Sequence, residues 1–186
     1  MPTREEVVAA VQGALLLARF DARGMQLFDN SLSGFWRSFF AAVVVVPFTV
    51  YWLVVNYHET EYSASWVLFI EAIRYVVGWS IIPLILIPVA KALSRSTEYV
   101  PFIIAYNWSM VVQSALTFVL VVVDQTGLLP IEVLWLVSWA LVVYLVVYFV
   151  FIARVALRVP AYVGAVLAIL YYALTRTLWE TTRRFL

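Results

Sequence analysis

Five long apolar stretches dominate the sequence and limit the folds that it can adopt. They cover roughly residues 35–57, 66–90, 99–123, 131–153 and 159–175, with short polar segments between them. A helix needs about 20 apolar residues to cross the hydrocarbon core of a bilayer. Because lipid offers no hydrogen bonds to an open backbone, such stretches cross as helices. The pattern predicts an all-α fold, a polytopic transmembrane helix bundle with about five spans.

The overall composition excludes a water-soluble fold. Of the 186 residues, 65% are hydrophobic and only 12% are charged, and the mean hydropathy is +0.97. Soluble domains carry about 25% charged residues. The 8 Trp and 11 Tyr residues suit aromatic belts at the two membrane interfaces. The sequence has no cysteine, which excludes disulfides and thiolate chemistry.

The chain divides into three parts. Residues 1–33 precede the first span, residues 34–175 form the bundle, and residues 176–186 form a short basic C-terminal tail. In the first part, Thr3 and Glu6 have the spacing of a capping box. Apolar residues then recur at helical spacing: Val7, Val8, Val11, Ala14, Leu15 and Ala18. We expect an amphipathic helix that either lies in the membrane interface or packs beneath the bundle.

Two opposite charges interrupt the second span. Glu71 and Arg74 are three residues apart, so they share one helical face about 5–6 Å apart at Cβ. A charge at membrane depth costs several kcal/mol, with estimates from ~3 to above 10, unless it is paired or solvated. The pair is therefore either a packing device, a site that moves a proton, ion or solute, or a docking point for a partner.

The third span carries a polar half-face. Asn107, Gln113, Ser114 and Thr117 fall on one side of a helical wheel, opposite a Val, Leu and Phe face. We expect this half-face to pack inward, where hydrogen bonds between helices are each worth roughly 0.6 kcal/mol.

Three prolines lie inside predicted spans. Proline removes a backbone donor and tends to kink a helix. Kinks are therefore predicted at Pro47, Pro83 and Pro88.

The basic residues of the loops predict the orientation in the membrane. Eight of the 12 precede the first span or follow the second and fourth: Arg4, Arg19, Arg23, Arg37, Lys91, Arg95, Arg154 and Arg158. Since short cytoplasmic loops are rich in Lys and Arg, we expect a cytoplasmic N-terminus. The tail residues Arg176, Arg183 and Arg184 fit this rule only if segment 159–175 does not cross. Four crossings therefore stay open beside the favoured five.

The motifs of common enzymes are absent. The sequence has no GxxxxGK[ST], GxGxxG, HExxH or CxxC pattern, and no GxSxG. The single histidine, His58, lies beside Glu59 and Glu61 in a short loop, which we interpret as a solvated loop rather than a metal site. We expect no enzyme activity, no metal and no cofactor.

Four short segments carry a resemblance to a known family. They are Gly34–Phe39 (GFWRSF), Trp79–Pro83 (WSIIP), Ala105–Trp108 (AYNW) and Ile152–Leu157 (IARVAL). With this order of features, the chain resembles the Yip1-like five-span membrane proteins, most closely an alphaproteobacterial group of that layout. The resemblance implies five spans in a bacterial inner membrane and no catalytic residue. The cytosolic DLYGP-type motif of the eukaryotic members is absent from this sequence.

These features lead to two functional hypotheses. The first is a non-catalytic scaffold, assembly factor or accessory subunit of a membrane complex. The alternative is a small transporter or channel component that uses Glu71, Arg74 and the polar face of the third span. We expect a multi-pass protein of the bacterial inner (cytoplasmic) membrane, in contact with the lipid bilayer. Its expected partners are other membrane proteins or a second copy of the chain, and not nucleic acid.

Overall fold

The computed structural model describes residues 1–56 and 62–185, and within these ranges the chain is helical and has no strand. Two short 3-10 helices lie in the connections, at Ala22–Leu27 and Ser96–Glu98. The α-helices are α1 (Arg4–Ala18), α2 (Leu32–Ser38), α3 (Phe40–Asn56), α4 (Ala64–Ala92), α5 (Tyr99–Thr126), α6 (Ile131–Ala156) and α7 (Ala161–Arg183). The predicted all-α class is confirmed for the described residues.

Five helical stretches are long and apolar enough to cross a membrane, as the sequence predicted. They are Leu32–Val55, Ala64–Ala92, Ser96–Thr126, Ile131–Ala156 and Ala161–Arg183. The predicted end of the first span, at Tyr57, lies outside the described residues. The bounds of the other spans differ from the predicted ones by a few residues, except at the C-terminal end.

Most of the predicted C-terminal tail is helical. Helix α7 continues to Arg183, so most of segment 176–186 belongs to the same helix as the apolar run before it. Arg176 and Glu180, one turn apart, form an ion pair of 2.6 Å on the outside of this extension. Polar residues of this kind are good helix formers, so the change in polarity at Arg176 does not end the helix.

The first predicted span is interrupted near its start. Helix α2 ends at Ser38, and α3 begins at Phe40. The hydroxyl of Ser38 donates a hydrogen bond of 2.7 Å to the carbonyl of Phe35 and accepts one of 2.8 Å from the Asn107 amide on α5. A serine hydroxyl that bonds a carbonyl of the preceding turn competes with the helical ladder. The interruption therefore coincides with a polar contact to α5 and does not lie at Pro47.

Helix α5 forms the centre of the bundle. Its first half is almost completely buried, with Phe102, Ile103 and Ala105 at most 1% exposed. Helices α1, α2, α3, α4 and α6 all pack against it, and Tyr171 of α7 contacts it as well. Of the polar half-face predicted on this helix, Asn107 and Gln113 are buried, Ser114 is half-buried and Thr117 is exposed.

Helix α1 packs along α6. The capping box at its start is present, with Glu6 and Thr3 bonded to each other's backbone amides. The Tyr148 and Tyr144 hydroxyls donate to the carbonyls of Ala14 and Ala18, so α1 runs antiparallel to α6 there.

The buried face of α1 differs from the predicted one. Val8 and Leu15 are about half exposed, whereas Gly13 and Leu17 are buried. Close packing selects small residues here: a Cβ on Gly13 would lie 2.9 Å from the carbonyl oxygen of Gly24. A position of α1 in the membrane interface stays a prediction.

Candidate functional site

Glu71 and Arg74 form an ion pair in the N-terminal half of α4. A guanidinium nitrogen of Arg74 bonds a carboxylate oxygen of Glu71, and the two side chains are only 16% and 11% exposed. Arg74 lies four residues, roughly 6 Å, before Gly78, the middle residue of the helix. The spacing of three residues thus brings the two charges together, as the sequence predicted.

Two tryptophans from distant helices complete the surroundings of Arg74. Its guanidinium carbon lies 4.3 Å from the ring centre of Trp179 on α7 and 5.6 Å from that of Trp52 on α3. The two rings contact each other edge to face, with 5.5 Å between their centres. A guanidinium over an indole face contributes about 0.5–2 kcal/mol, more when it is desolvated. Arg74 therefore joins α3, α4 and α7.

Two neighbouring cavities lie beside this cluster. One, of about 270 Å³, contains the ion pair and is bounded by α3, α4, α5 and α7. The other, of about 330 Å³, lies mainly between α3, α5 and α7. Both are partly open to the surface of the molecule, and they share four lining residues: Thr49, Met110, Ser114 and Tyr171. We call the two cavities together the α3–α7 cleft.

The α3–α7 cleft unites most of the residues singled out in the sequence. Glu71 and Arg74 line the smaller cavity, Gln113 and Thr117 line the larger one, and Ser114 lines both. Asn107 is the exception, since it is fully buried against α2 and bonds Ser38. Its Oδ1 atom is buried and has no hydrogen-bond partner among the described residues.

The cleft also contains residues that the sequence did not single out. Trp52 and Trp179 are 127 positions apart, and no local pattern links them.

Gly78 lies one turn beyond Arg74, and from the sequence we expect a neighbouring helix to come close to it. In the structure, Gly78 lines the cavity of the ion pair, and a Cβ built on it would have no heavy atom within 4 Å. Its missing side chain therefore leaves open space in the cleft.

The three prolines at which kinks are predicted all lie inside helices. Pro47 lies inside α3, and Pro83 and Pro88 lie inside α4. The carbonyl of Pro83 accepts a hydrogen bond of 3.1 Å from the Tyr99 hydroxyl at the start of α5. Bending at the three prolines stays a prediction.

A second polar cluster lies at the other end of the molecule. Arg37 on α2 contacts Asp29 at 2.5 Å and Glu6 of α1 at 3.2 Å, which ties the N-terminal segments together. The backbone amide of Ser31 donates to the Asp29 carboxylate at 3.0 Å. This bond, followed by the Ser31 and Arg37 side chains, lowers the pKa of Asp29 below its usual value.

Neither metal geometry nor comparison with known proteins assigns a role to these clusters. Within residues 1–56 and 62–185, no group of three or more His, Asp or Glu side chains is placed to hold a metal ion. His58 and its acidic neighbours lie outside these ranges. No protein-family model, curated protein or solved structure matches the chain.

Proposed function

We propose that the chain is a non-catalytic integral membrane protein that acts as a scaffold, assembly factor or accessory subunit of a membrane complex. The observation that carries this proposal is the internal engagement of the charged pair. Glu71 and Arg74 bond each other, and Arg74 contacts rings from two further helices. Charges that are used to join helices are typical of a structural part of a bundle.

The exposed face of α6 is the surface on which we propose to map a partner. Trp135 and Trp139, one turn apart, are each 62% exposed, and Leu136 beside them is 71% exposed. Trp139 lies eight residues, roughly 12 Å, past the start of α6. Because the indole N–H seeks a hydrogen bond, exposed Trp favours interfaces over the lipid interior. A neighbouring membrane helix would supply that bond.

Purification from native membranes into nanodiscs, followed by native mass spectrometry, tests the scaffold proposal. We expect a stoichiometric protein partner with the wild-type chain, and its loss when Trp135 and Trp139 are both replaced by Leu. Trp36→Leu is the matched control, since Trp36 is similarly exposed, at 68%, on a different helix. Purification of the chain alone, from membranes that contain it at its natural level, would contradict the proposal.

A second candidate function is transport, as a small transporter or channel component. It is favoured by the α3–α7 cleft, in which the ion pair and the polar side chains of α5 lie in two neighbouring cavities. Polar groups that line a cavity between helices are typical of solute pathways. If transport is the function, Glu71→Gln abolishes flux into vesicles while the protein still inserts at its normal level. Unchanged flux would exclude a role for this carboxylate.

For location we propose a multi-pass protein of a bacterial inner membrane, with its N-terminus in the cytoplasm. The eight basic residues at one set of loops support this orientation. The five candidate spans suit the layout of the Yip1-like proteins that the chain resembles. Reporter fusions after Leu93 and at Leu186 test the orientation, and an extracytoplasmic signal from the first would contradict it.

A further inference from the structure

The α3–α7 cleft has a polar end and an apolar end. Near the N-terminal side of α4, its cavity is lined by Glu71, Arg74 and Thr175. Closer to the middle of α4 and α5, the lining includes Gly78, Trp79 and Met110. Glu71 lies seven residues, roughly 10 Å, from the start of α4, so the polar end is the one closer to a membrane surface. A membrane lipid has the same polarity, with a polar head outside and an apolar chain inside.

The charges at the polar end are balanced. The cavity contains one carboxylate and one guanidinium, which already neutralise each other. A ligand with a net charge would leave an uncompensated charge in a site of low dielectric, which is costly. A zwitterion adds one charge of each sign and keeps the site neutral.

Each half of the ion pair has capacity for a second partner. A guanidinium has five N–H donors in a planar fork that suits phosphate, and a carboxylate can accept several hydrogen bonds. Tyr75 follows Glu71 by one turn of α4 and lines the same cavity. Aromatic faces beside a carboxylate are favourable surroundings for an ammonium group.

We propose that the α3–α7 cleft binds a zwitterionic phospholipid. The phosphate contacts Arg74, the ammonium group contacts Glu71, and the acyl chain passes Gly78 toward the middle of the bilayer. This ligand class goes beyond the scaffold role and does not rest on it, because partner capture through α6 and lipid binding in the cleft are measured separately.

The test is a titration of the purified full chain in maltoside micelles, read by native mass spectrometry. Lysophosphatidylethanolamine is the probe; lysophosphatidylglycerol, with the same chain and a net negative charge, is the comparison. We expect the zwitterion to bind at least about tenfold more tightly than the anion, since one charge-assisted hydrogen bond gives roughly that factor. Glycerophosphoethanolamine, the same net-neutral phosphodiester without a chain, should bind at least about a hundredfold more weakly than the lysolipid.

Three variants locate the site. Gly78→Leu adds a side chain into open cleft space, and we expect it to abolish binding without loss of folding. Ala72→Leu adds the same bulk on an exposed position of α4 and should bind like the wild type. The double replacement Glu71→Gln with Arg74→Gln keeps the site neutral but removes both charged partners of the head group, so it should weaken binding of lysophosphatidylethanolamine at least about tenfold.

The opposite results would overturn the proposal in distinct ways. Equal or tighter binding of lysophosphatidylglycerol would show an anion site, and equal binding of monoacylglycerol would show an apolar groove without head recognition. Equal binding of glycerophosphoethanolamine would exclude a lipid as the intended occupant. Wild-type affinity in Gly78→Leu, or no binding to the wild type, would exclude the cleft. None of these results affects the scaffold proposal, which fails only if no partner is captured.

Discussion

At the scale of residues, the ion pair of Glu71 and Arg74 predicts an asymmetric response to mutation. Each single replacement should destabilise the protein more than the double replacement. Removal of one partner leaves the other charge buried, which costs about 3–5 kcal/mol in typical cases. Glu71→Leu or Arg74→Met alone should therefore lower both the thermal midpoint in detergent and the level in membranes. The double replacement should restore most of the loss, because it leaves no charge uncompensated.

The exposed pair Arg176–Glu180 is the matched control for this cycle. Both side chains reach solvent, at 75% and 47% exposure, so replacement of either should change stability by no more than about 1 kcal/mol. If the Glu71 and Arg74 single variants were as stable as these controls, the pair would have no structural role.

The hydrogen bond between Asn107 and Ser38 predicts that replacements of its two partners differ in their cost to stability. Ser38→Ala would leave the Asn107 amide without its bond, while Asn107 Oδ1 is already buried and unpartnered. We expect this variant to lose about 1–3 kcal/mol, the cost of an unsatisfied buried polar group. Asn107→Leu keeps the number and branching of the side-chain heavy atoms and removes both polar atoms, so its loss should be smaller. Chemical denaturation in one detergent compares the two, and the reverse order would show that packing outweighs hydrogen bonding at this site.

At the scale of elements, the contact between α1 and the 3-10 helix at Ala22–Leu27 depends on two glycines. A Cβ on Gly24 would lie 2.4 Å from the carbonyl oxygen of Gly13, closer than any real contact permits. Gly24→Ala should therefore force the two segments apart and expose the amides of α1 to hydrogen exchange. Gly78→Ala is the matched control: its Cβ meets open space, and alanine favours the helix by about 1 kcal/mol. Equal exchange of α1 in both variants would contradict this close contact.

The Asp29 cluster predicts a pH dependence of the same N-terminal elements. The folded-state pKa of Asp29 is lowered, so its contribution to stability is present above the unfolded value of about 3.9. That contribution is lost as the pH falls through the lowered folded value. We expect hydrogen exchange in α2, relative to α5 in the same sample, to rise when the pH drops from 6 to 3. Asp29→Asn should show the faster exchange at both pH values, and an unchanged ratio in the wild type would contradict the role of Asp29.

The elements were largely predictable because their signals are local. Length and apolarity predicted the five candidate spans, and the spacing of Thr3 and Glu6 predicted the start of α1. The interruption at Phe39 was not predictable, since it depends on a bond between Ser38 and a residue 69 positions away. The buried face of α1 was predicted in part: Ala14 and Ala18 are buried as expected, but Gly13 carries no hydrophobic signal and is buried by contact with Gly24.

At the scale of the whole molecule, the sequence predicted the charged pair but not the residues that surround it. The proximity of Glu71 and Arg74 follows from three residues of spacing. Their contact with Trp52 and Trp179 depends on how α3, α4 and α7 come together, which no spacing records. The residues of the polar half-face of α5 likewise lie in two different surroundings. Asn107 packs against α2, and Ser114 faces the α3–α7 cleft, although the two residues are only two turns apart.

The path of α7 favours five crossings over four, and it predicts the outcome of a labelling experiment. Gly164, near the start of α7, packs against Val150 and Ala153 at the end of α6. At the other end of α7, the carbonyl of Phe185 accepts a hydrogen bond of 2.9 Å from the indole of Trp66 at the start of α4. Helix α7 therefore extends along the full length of the bundle.

Because the sequence has no cysteine, single cysteines can report on each end without a background. A membrane-impermeant maleimide should label Arg184→Cys and Ser63→Cys from the same side of sealed vesicles, and Ser94→Cys only from the other side. With four crossings, Arg184→Cys would instead be labelled together with Ser94→Cys. That result would mean that the last apolar segment turns back within the membrane, and that Arg176 lies on the side that carries the other basic loops.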